Sequence, residues 1–157
     1  MEFAQQLQQT AIARFVGESG SLLGYPTILF LHTLGLATVA GLSAGIDLRV
    51  LGLAPALRLG PMLRFYPLMW VAFAVATLSG LALLVADATT KLTQTVFYVK
   101  LLLVALAVVT MVLMRRVLRD PMVDERPLDG SVKGLAVASL VLWIGATVAG
   151  RLIAYIY

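Results

Sequence analysis

Four long apolar blocks, separated by short polar connections, dominate the pattern of hydrophobic and polar residues along the chain. We predict membrane-spanning helices at about residues 25–46, 67–86, 95–114 and 134–153. Each block has about the 20 residues that a helix needs to cross the hydrocarbon core of a bilayer. The pattern therefore predicts an all-α fold, in which residues 1–157 form a single transmembrane domain built as an up-down four-helix bundle.

Residues 2–17 differ from these blocks because their apolar positions fall on one face of a helix. Phe3, Leu7, Ala11 and Phe15 recur at near-helical spacing, while glutamines fill the other face. The segment is too polar to span a membrane, so we expect an amphipathic helix that lies along the membrane interface.

Composition and charge support a membrane location. The chain is 61% hydrophobic and 13% charged, whereas about a quarter of the residues of a soluble domain are charged. It has no cysteine, which excludes disulfides and thiolate metal sites. The net charge of +4 arises largely from two basic loops, so it indicates membrane orientation and not nucleic-acid binding. Eight Lys and Arg residues lie in the first and third loops, which predicts that both termini face the periplasm from a bacterial inner membrane.

Three polar residues fall inside the predicted spans near the same membrane surface. His32, the single histidine, lies about eight residues, or roughly 12 Å, from the end of the first span. Lys100 lies near the start of the third span, and Arg151 lies near the end of the fourth. Thr77 and Ser79 approach the same surface from the second span. Because consecutive spans alternate in direction, the bundle is expected to bring His32, Lys100 and Arg151 to a similar depth.

This set of residues suits a b-type haem. Imidazole is a common axial ligand of haem iron, and cationic side chains, Arg above all, suit the propionate carboxylates. Gly35 lies on the same face as His32 and is expected to leave room for a flat ring. With one histidine per chain, the iron is five-coordinate, or Lys100, a second protomer or an outside ligand supplies the sixth position. The alternatives are that His32 is a hydrogen-bonded packing residue, and that Lys100 and Arg151 extend to the lipid headgroups.

Asp47 and Arg49 form a second polar group, at the opposite end of the first span. Two residues apart on a helix, they do not face each other. We expect each of them to make an anchoring ion pair with another element, with Arg115 or Arg116 as the partner of Asp47. The alternative is an entrance for protons or ions.

Four stretches carry a resemblance to known membrane proteins. They are the segment from Tyr25-Pro26 to His32 and Gly35, Asp47-Leu-Arg49-Val-Leu-Gly52, Val99-Lys100-Leu-Leu-Leu, and Gly150-Arg151-Leu-Ile-Ala-Tyr155. In these the chain resembles a group of small, uncharacterised four-span bacterial inner-membrane proteins. More remotely it is similar to the four-helix membrane protoporphyrinogen oxidases and to the membrane domain of copper-resistance D-type proteins. The likeness to the oxidases implies that His32 ligates haem and that Lys100 is essential.

The sequence thus leaves three functions open. The first is a haem protein that passes electrons or oxidises a quinol or porphyrinogen. The second is a scaffold or anchor that joins a homo-oligomer or a larger membrane complex among the lipids, for which Gly41 and Gly45 offer a close-packing face. The third is a small transporter with Asp47, Lys100 and Arg151 along its path, although no internal repeat is visible.

Overall fold

The computed structural model describes residues 24–153 and Tyr155, and over this part of the chain it confirms an all-α fold. We number the four long helices α1, α2, α3 and α4, and they cover Tyr25–Val50, Tyr66–Ala86, Thr95–Leu118 and Gly130–Leu152. A 3-10 helix at Gly60–Phe65 leads into α2, and a short helical turn, Ala88–Lys91, follows it. The predicted amphipathic helix at residues 2–17 lies outside the described residues.

All four long helices have the length and composition needed to cross a membrane, which supports a multi-pass membrane protein. α1 and α3 begin at the predicted residues, and each runs four residues beyond its predicted end. The outward faces of all four long helices carry large apolar side chains that suit contact with lipid, among them Phe30, Leu34, Val71, Leu78, Leu102, Val109, Val141 and Ile144. We call the end of the bundle that contains Tyr25, Ala86, Thr95 and Leu152 the His32 end, and the opposite end the Asp47 end.

A glycine stops α1 at the Asp47 end. Gly52 has a φ of +91°, a left-handed conformation that favours glycine. The N–H of Leu53 donates to the carbonyl of Leu48 at 3.0 Å, and the N–H of Gly52 donates to that of Arg49 at 3.0 Å. This pair of bonds is the Schellman motif, which satisfies carbonyls left without partners at a helix end.

The helices pack as two hairpins. α1 lies along α2, α3 lies along α4, and α1 also contacts α4, whereas α2 and α3 make few close backbone contacts. Between them runs a continuous apolar core that includes Val39, Met69, Ala107, Met111 and Ala136. The wider spacing between α2 and α3 makes that side of the bundle the more open one.

Asp124 joins the two hairpins at the Asp47 end. Its carboxylate accepts hydrogen bonds from the N–H of Leu59 at 2.7 Å and of Gly60 at 3.1 Å, and Arg58 lies 3.9 Å away. Desolvation acts to raise the pKa of Asp124, but the two N–H donors and the charges of Arg58 and Arg49 outweigh it. The pKa of Asp124 is therefore below its ordinary value, and its anionic form holds the loop before α2 against the loop before α4.

Candidate functional site

His32 faces the second half of α2, and its ring orientation follows from a backbone hydrogen bond. The imidazole Nδ1 lies 2.8 Å from the carbonyl oxygen of Ala76. A carbonyl can only accept, so Nδ1 carries the hydrogen and donates it. Nε2 is consequently the ring nitrogen that remains to accept a bond or to ligate a metal. In metal-binding histidines, the ring nitrogen that does not bind the metal commonly donates to a backbone carbonyl in this way.

Small residues of α2 allow the imidazole to lie this close. A Cβ added at Gly80 would be 2.9 Å from Cε1 of His32 and 3.1 Å from Nδ1, so no larger residue fits there without displacing the ring. Ser79 lies 3.5 Å from Nδ1, but its hydroxyl donates to the carbonyls of Val75 and Ala76 at 2.6 and 3.2 Å. Thr77, predicted beside Ser79, is exposed. Ala76 and Gly80, two small residues four positions apart on α2, thus form the surface against which His32 packs.

Gly35 has a different role from the one predicted. A Cβ at Gly35 would lie 2.7 Å from the carbonyl oxygen of Ala72 and 2.9 Å from the backbone nitrogen of Ala76. The space that we expected for a flat ring beside Gly35 is therefore taken by the backbone of α2. Gly35 lets α1 and α2 approach closely, and that part of the prediction is corrected.

Lys100 reaches His32 from α3. Its Nζ is 3.5 Å from Nε2 of His32, longer than a well-formed hydrogen bond. The lysine stem also lies beside Gly150 of α4, where an added Cβ would be 3.5 Å from Cε. Residues of all four long helices therefore meet around this pair, at the depth that the sequence predicted.

The charge near Lys100 is positive. The ion pairs that the structure shows between described residues are Arg58 with Asp124 and Lys91 with Asp87, and neither includes Lys100. Lys91 is close enough for its charge to act on Lys100. The half-buried ammonium thus has a basic neighbour and, within the described residues, no carboxylate in contact. Such a site suits an anionic group.

Arg151 does not join this pair. It is exposed in the last turn of α4, and among the described residues it makes no hydrogen bond or ion pair with His32 or Lys100. The sequence placed it at the correct end of the bundle, but the adjacent Gly150, and not Arg151, faces Lys100. Arg151 is available only to a group at the surface of the His32 end.

Asp47 forms a second cluster, inside the opposite half of the bundle. It is 2% exposed, and its Oδ2 has no hydrogen-bond partner among the residues that the structure describes. Ser43, Tyr66 and Ser139 surround it, together with the apolar side chains of Ile46, Met111 and Met114. Asp47 is thus a fully enclosed carboxyl group with hydroxyl groups around it.

The ion pair predicted for Asp47 is not formed between the described residues. Arg115 instead lies over the ring of Tyr66, with its Cζ 5.7 Å from the ring centroid. Arg49 donates from Nε to the carbonyl of Leu57, so it organises the loop after α1. As expected from their spacing, Asp47 and Arg49 point in different directions, but Asp47 points into the core and not to a cation.

No group of three or more His, Asp or Glu residues that could hold a metal ion occurs in the described part of the chain. Comparisons of the chain with protein-family models, curated proteins and solved structures found no match. The resemblances drawn from the sequence therefore stay predictions.

Proposed function

We propose that this chain binds a b-type haem through His32 and serves an electron-transfer or quinol- or porphyrinogen-oxidising reaction in the membrane. The observation that carries the proposal is the ring orientation of His32, with Nδ1 committed to Ala76 and Nε2 directed toward α3. The haem would supply a redox-active iron. The chain would supply Nε2 of His32 as a ligand, in an imidazole orientation that the hydrogen bond to Ala76 fixes.

Lys100 supports the proposal through its charge. An ammonium without a carboxylate in contact suits a propionate, and Arg151 is available for one nearer the surface. In the described arrangement Nζ covers Nε2 at 3.5 Å, so ligation requires the lysine side chain to turn away. Its flexible four-carbon stem permits this. Because α2 stands apart from α3 and backbone fills the space at Gly35, His32 would hold the haem on its α3 side.

The absorption spectrum of the protein purified in detergent from haem-replete cells tests the proposal. We expect a Soret band that is lost in His32→Ala and kept in Ser79→Ala, which removes a group 3.5 Å from the same imidazole without removing the ligand. Absence of the band in the unmodified protein, or its survival in His32→Ala, would refute haem ligation by His32.

The role of Lys100 has its own test. Lys100→Gln should weaken haem retention, whereas Lys91→Gln, a lysine of the same end that is paired with Asp87, should have a smaller effect. Equal losses in the two variants would point to general surface charge and contradict a specific propionate partner.

One observation favours the scaffold as a second candidate. A Cβ at Gly41 or Gly45 would meet nothing within 4 Å, and both residues lie on the exposed face of α1. Their close-packing face therefore contacts no other described part of the chain. If it binds another helix, Gly41→Leu with Gly45→Leu should abolish crosslinks in membranes, and Gly134→Leu, at an equally open glycine of α4, should not. A chain that always migrates as a monomer would rule this candidate out.

We also propose that the Asp47 end faces the cytoplasm of a bacterium, because the loops and helix ends there hold eight of the Lys and Arg residues. Reporter fusions at the α1–α2 loop and after residue 157 test this. The loop should give the cytoplasmic signal and the C-terminus the periplasmic one.

A further inference from the structure

A basic pocket lies at the Asp47 end, where α1 ends and α4 begins. Its volume is about 230 Å³. Arg49, Arg126 and Lys133 line it, and Val50, Leu59 and Leu128 form part of its wall. Three cationic side chains from three separate segments thus converge on one cavity.

The carboxylate in this pocket is already engaged. Asp124 also lines the cavity, but it accepts two backbone hydrogen bonds, from Leu59 and Gly60, and lies 3.9 Å from Arg58. Arg126 and Lys133 make no ion pair or side-chain hydrogen bond with another described residue. Their charges are therefore open to an outside anion.

The surroundings indicate which anion. The pocket lies at the ends of helices that are long and apolar enough to span a membrane, and a bilayer around those helices would have its headgroups near this level. Leu53 and Leu57, in the loop that follows Arg49, are 72% and 53% exposed, as expected for side chains that touch a bilayer. Basic pockets between helix ends are suited to phosphate-bearing headgroups, because the guanidinium group binds phosphate oxygens through paired donors.

We propose that this pocket binds a phosphate group, as carried by the headgroup of an anionic phospholipid. Arg49 and Arg126 donate to the phosphate oxygens, Lys133 adds charge at the start of α4, and acyl chains lie along the exposed leucines of the first loop. The site is at the end opposite His32, so it is independent of the haem proposal.

The test compares two sets of substitutions with equal loss of charge. The pocket set removes the three cations that line the cavity, through Arg49→Gln, Arg126→Gln and Lys133→Gln. The control set removes three cations of the same end that do not line the pocket, through Arg64→Gln, Arg116→Gln and Arg119→Gln. Native mass spectrometry of detergent-purified protein, titrated with phosphatidylglycerol or phosphatidylcholine, measures binding.

We expect phosphatidylglycerol to bind to the unmodified protein and to the control set. The pocket set should bind about a hundredfold more weakly, at about fivefold for each cation. Arg49 also donates a hydrogen bond to the carbonyl of Leu57, which holds the first loop. A double variant, Arg126→Gln with Lys133→Gln, keeps that bond, and its affinity for phosphatidylglycerol should fall about 25-fold. Equal weakening in the pocket and control sets, or no preference over phosphatidylcholine, would overturn the proposal.

Titration with inorganic phosphate and glycerol phosphate separates the two sources of the ligand. If these compete with the lipid for the unmodified protein and not for the pocket set, the site takes a free phosphate compound as well. If only the lipid binds, the site is a headgroup site. Both results support phosphate binding in this pocket.

Discussion

Gly35 gives the sharpest test of how α1 and α2 meet. In Gly35→Ala the new methyl group would be 2.7 Å from the carbonyl oxygen of Ala72 and 2.9 Å from the backbone nitrogen of Ala76. An ordinary contact begins at 3.4 Å, so the first distance is 0.7 Å too short (2.7 against 3.4 Å). Both opposing atoms belong to a helix backbone. The two helices must therefore separate, because no side chain can turn aside.

The expected loss of unfolding free energy in Gly35→Ala follows from that separation. A gap of about 0.5–1 Å forfeits a quarter to a half of each van der Waals contact, and overpacking of this kind typically costs about 1–3 kcal/mol. The gain from replacing a helical glycine by alanine, about 0.5–1 kcal/mol, partly offsets the cost. Gly41→Ala should show that gain alone, since nothing lies within 4 Å of its Cβ. We expect the two variants to differ by about 2 kcal/mol in the free energy of unfolding.

Unfolding by titration with a denaturing detergent in mixed micelles, followed by circular dichroism, measures this difference. The absorption spectrum of the same samples reports haem. If Gly35→Ala is as stable as Gly41→Ala but loses the Soret band, then Gly35 faces a cofactor, and the backbone contact described above is refuted.

Three further substitutions test single contacts through the same measurement. Asp124→Asn should lower the unfolding free energy by about 1 kcal/mol at neutral pH. Because the pKa of Asp124 in the folded protein lies below its ordinary value, this stability difference should persist above about pH 4 and vanish as the pH falls further. A stability difference that grows in acid would contradict a lowered pKa. Gly52→Ala should cost about 1–2 kcal/mol because φ is +91° there, and no loss would argue against the left-handed helix stop. Asp47→Asn should raise the unfolding free energy by about 1 kcal/mol, since the enclosed Oδ2 has no hydrogen-bond partner in the described part of the chain, whereas a marked loss would reveal a stabilising cation.

The sequence predicted the helices and the meeting of His32 with Lys100 for simple physical reasons. A span must be long and apolar, and alternation of direction fixes depth. Which way each helix faces is harder to predict, because lipid is as apolar as the protein core. The acceptor of His32 is a carbonyl of Ala76, and no pattern of side chains marks a backbone atom.

Asp47 could have been placed in the core from its spacing. Gly35, Val39, Ser43 and Asp47 recur every four residues, and all four are buried on one face of α1. That stripe of small and polar residues was the available signal. The presence of arginines in nearby loops led to the prediction of an ion pair, but sequence proximity to a cation does not turn a helix toward it.

The bond network of Asp124 also has a mechanical consequence. It ties the two hairpins together at one end, while at the far end the lysine and the imidazole touch across 3.5 Å. The segment between Ala86 and Thr95 connects α2 to α3 at the His32 end, so the two hairpins are joined at both ends of the bundle. The hairpins can therefore move apart as rigid bodies only after the Asp124 hydrogen bonds break, and the covalent connection beside the imidazole limits how far they separate.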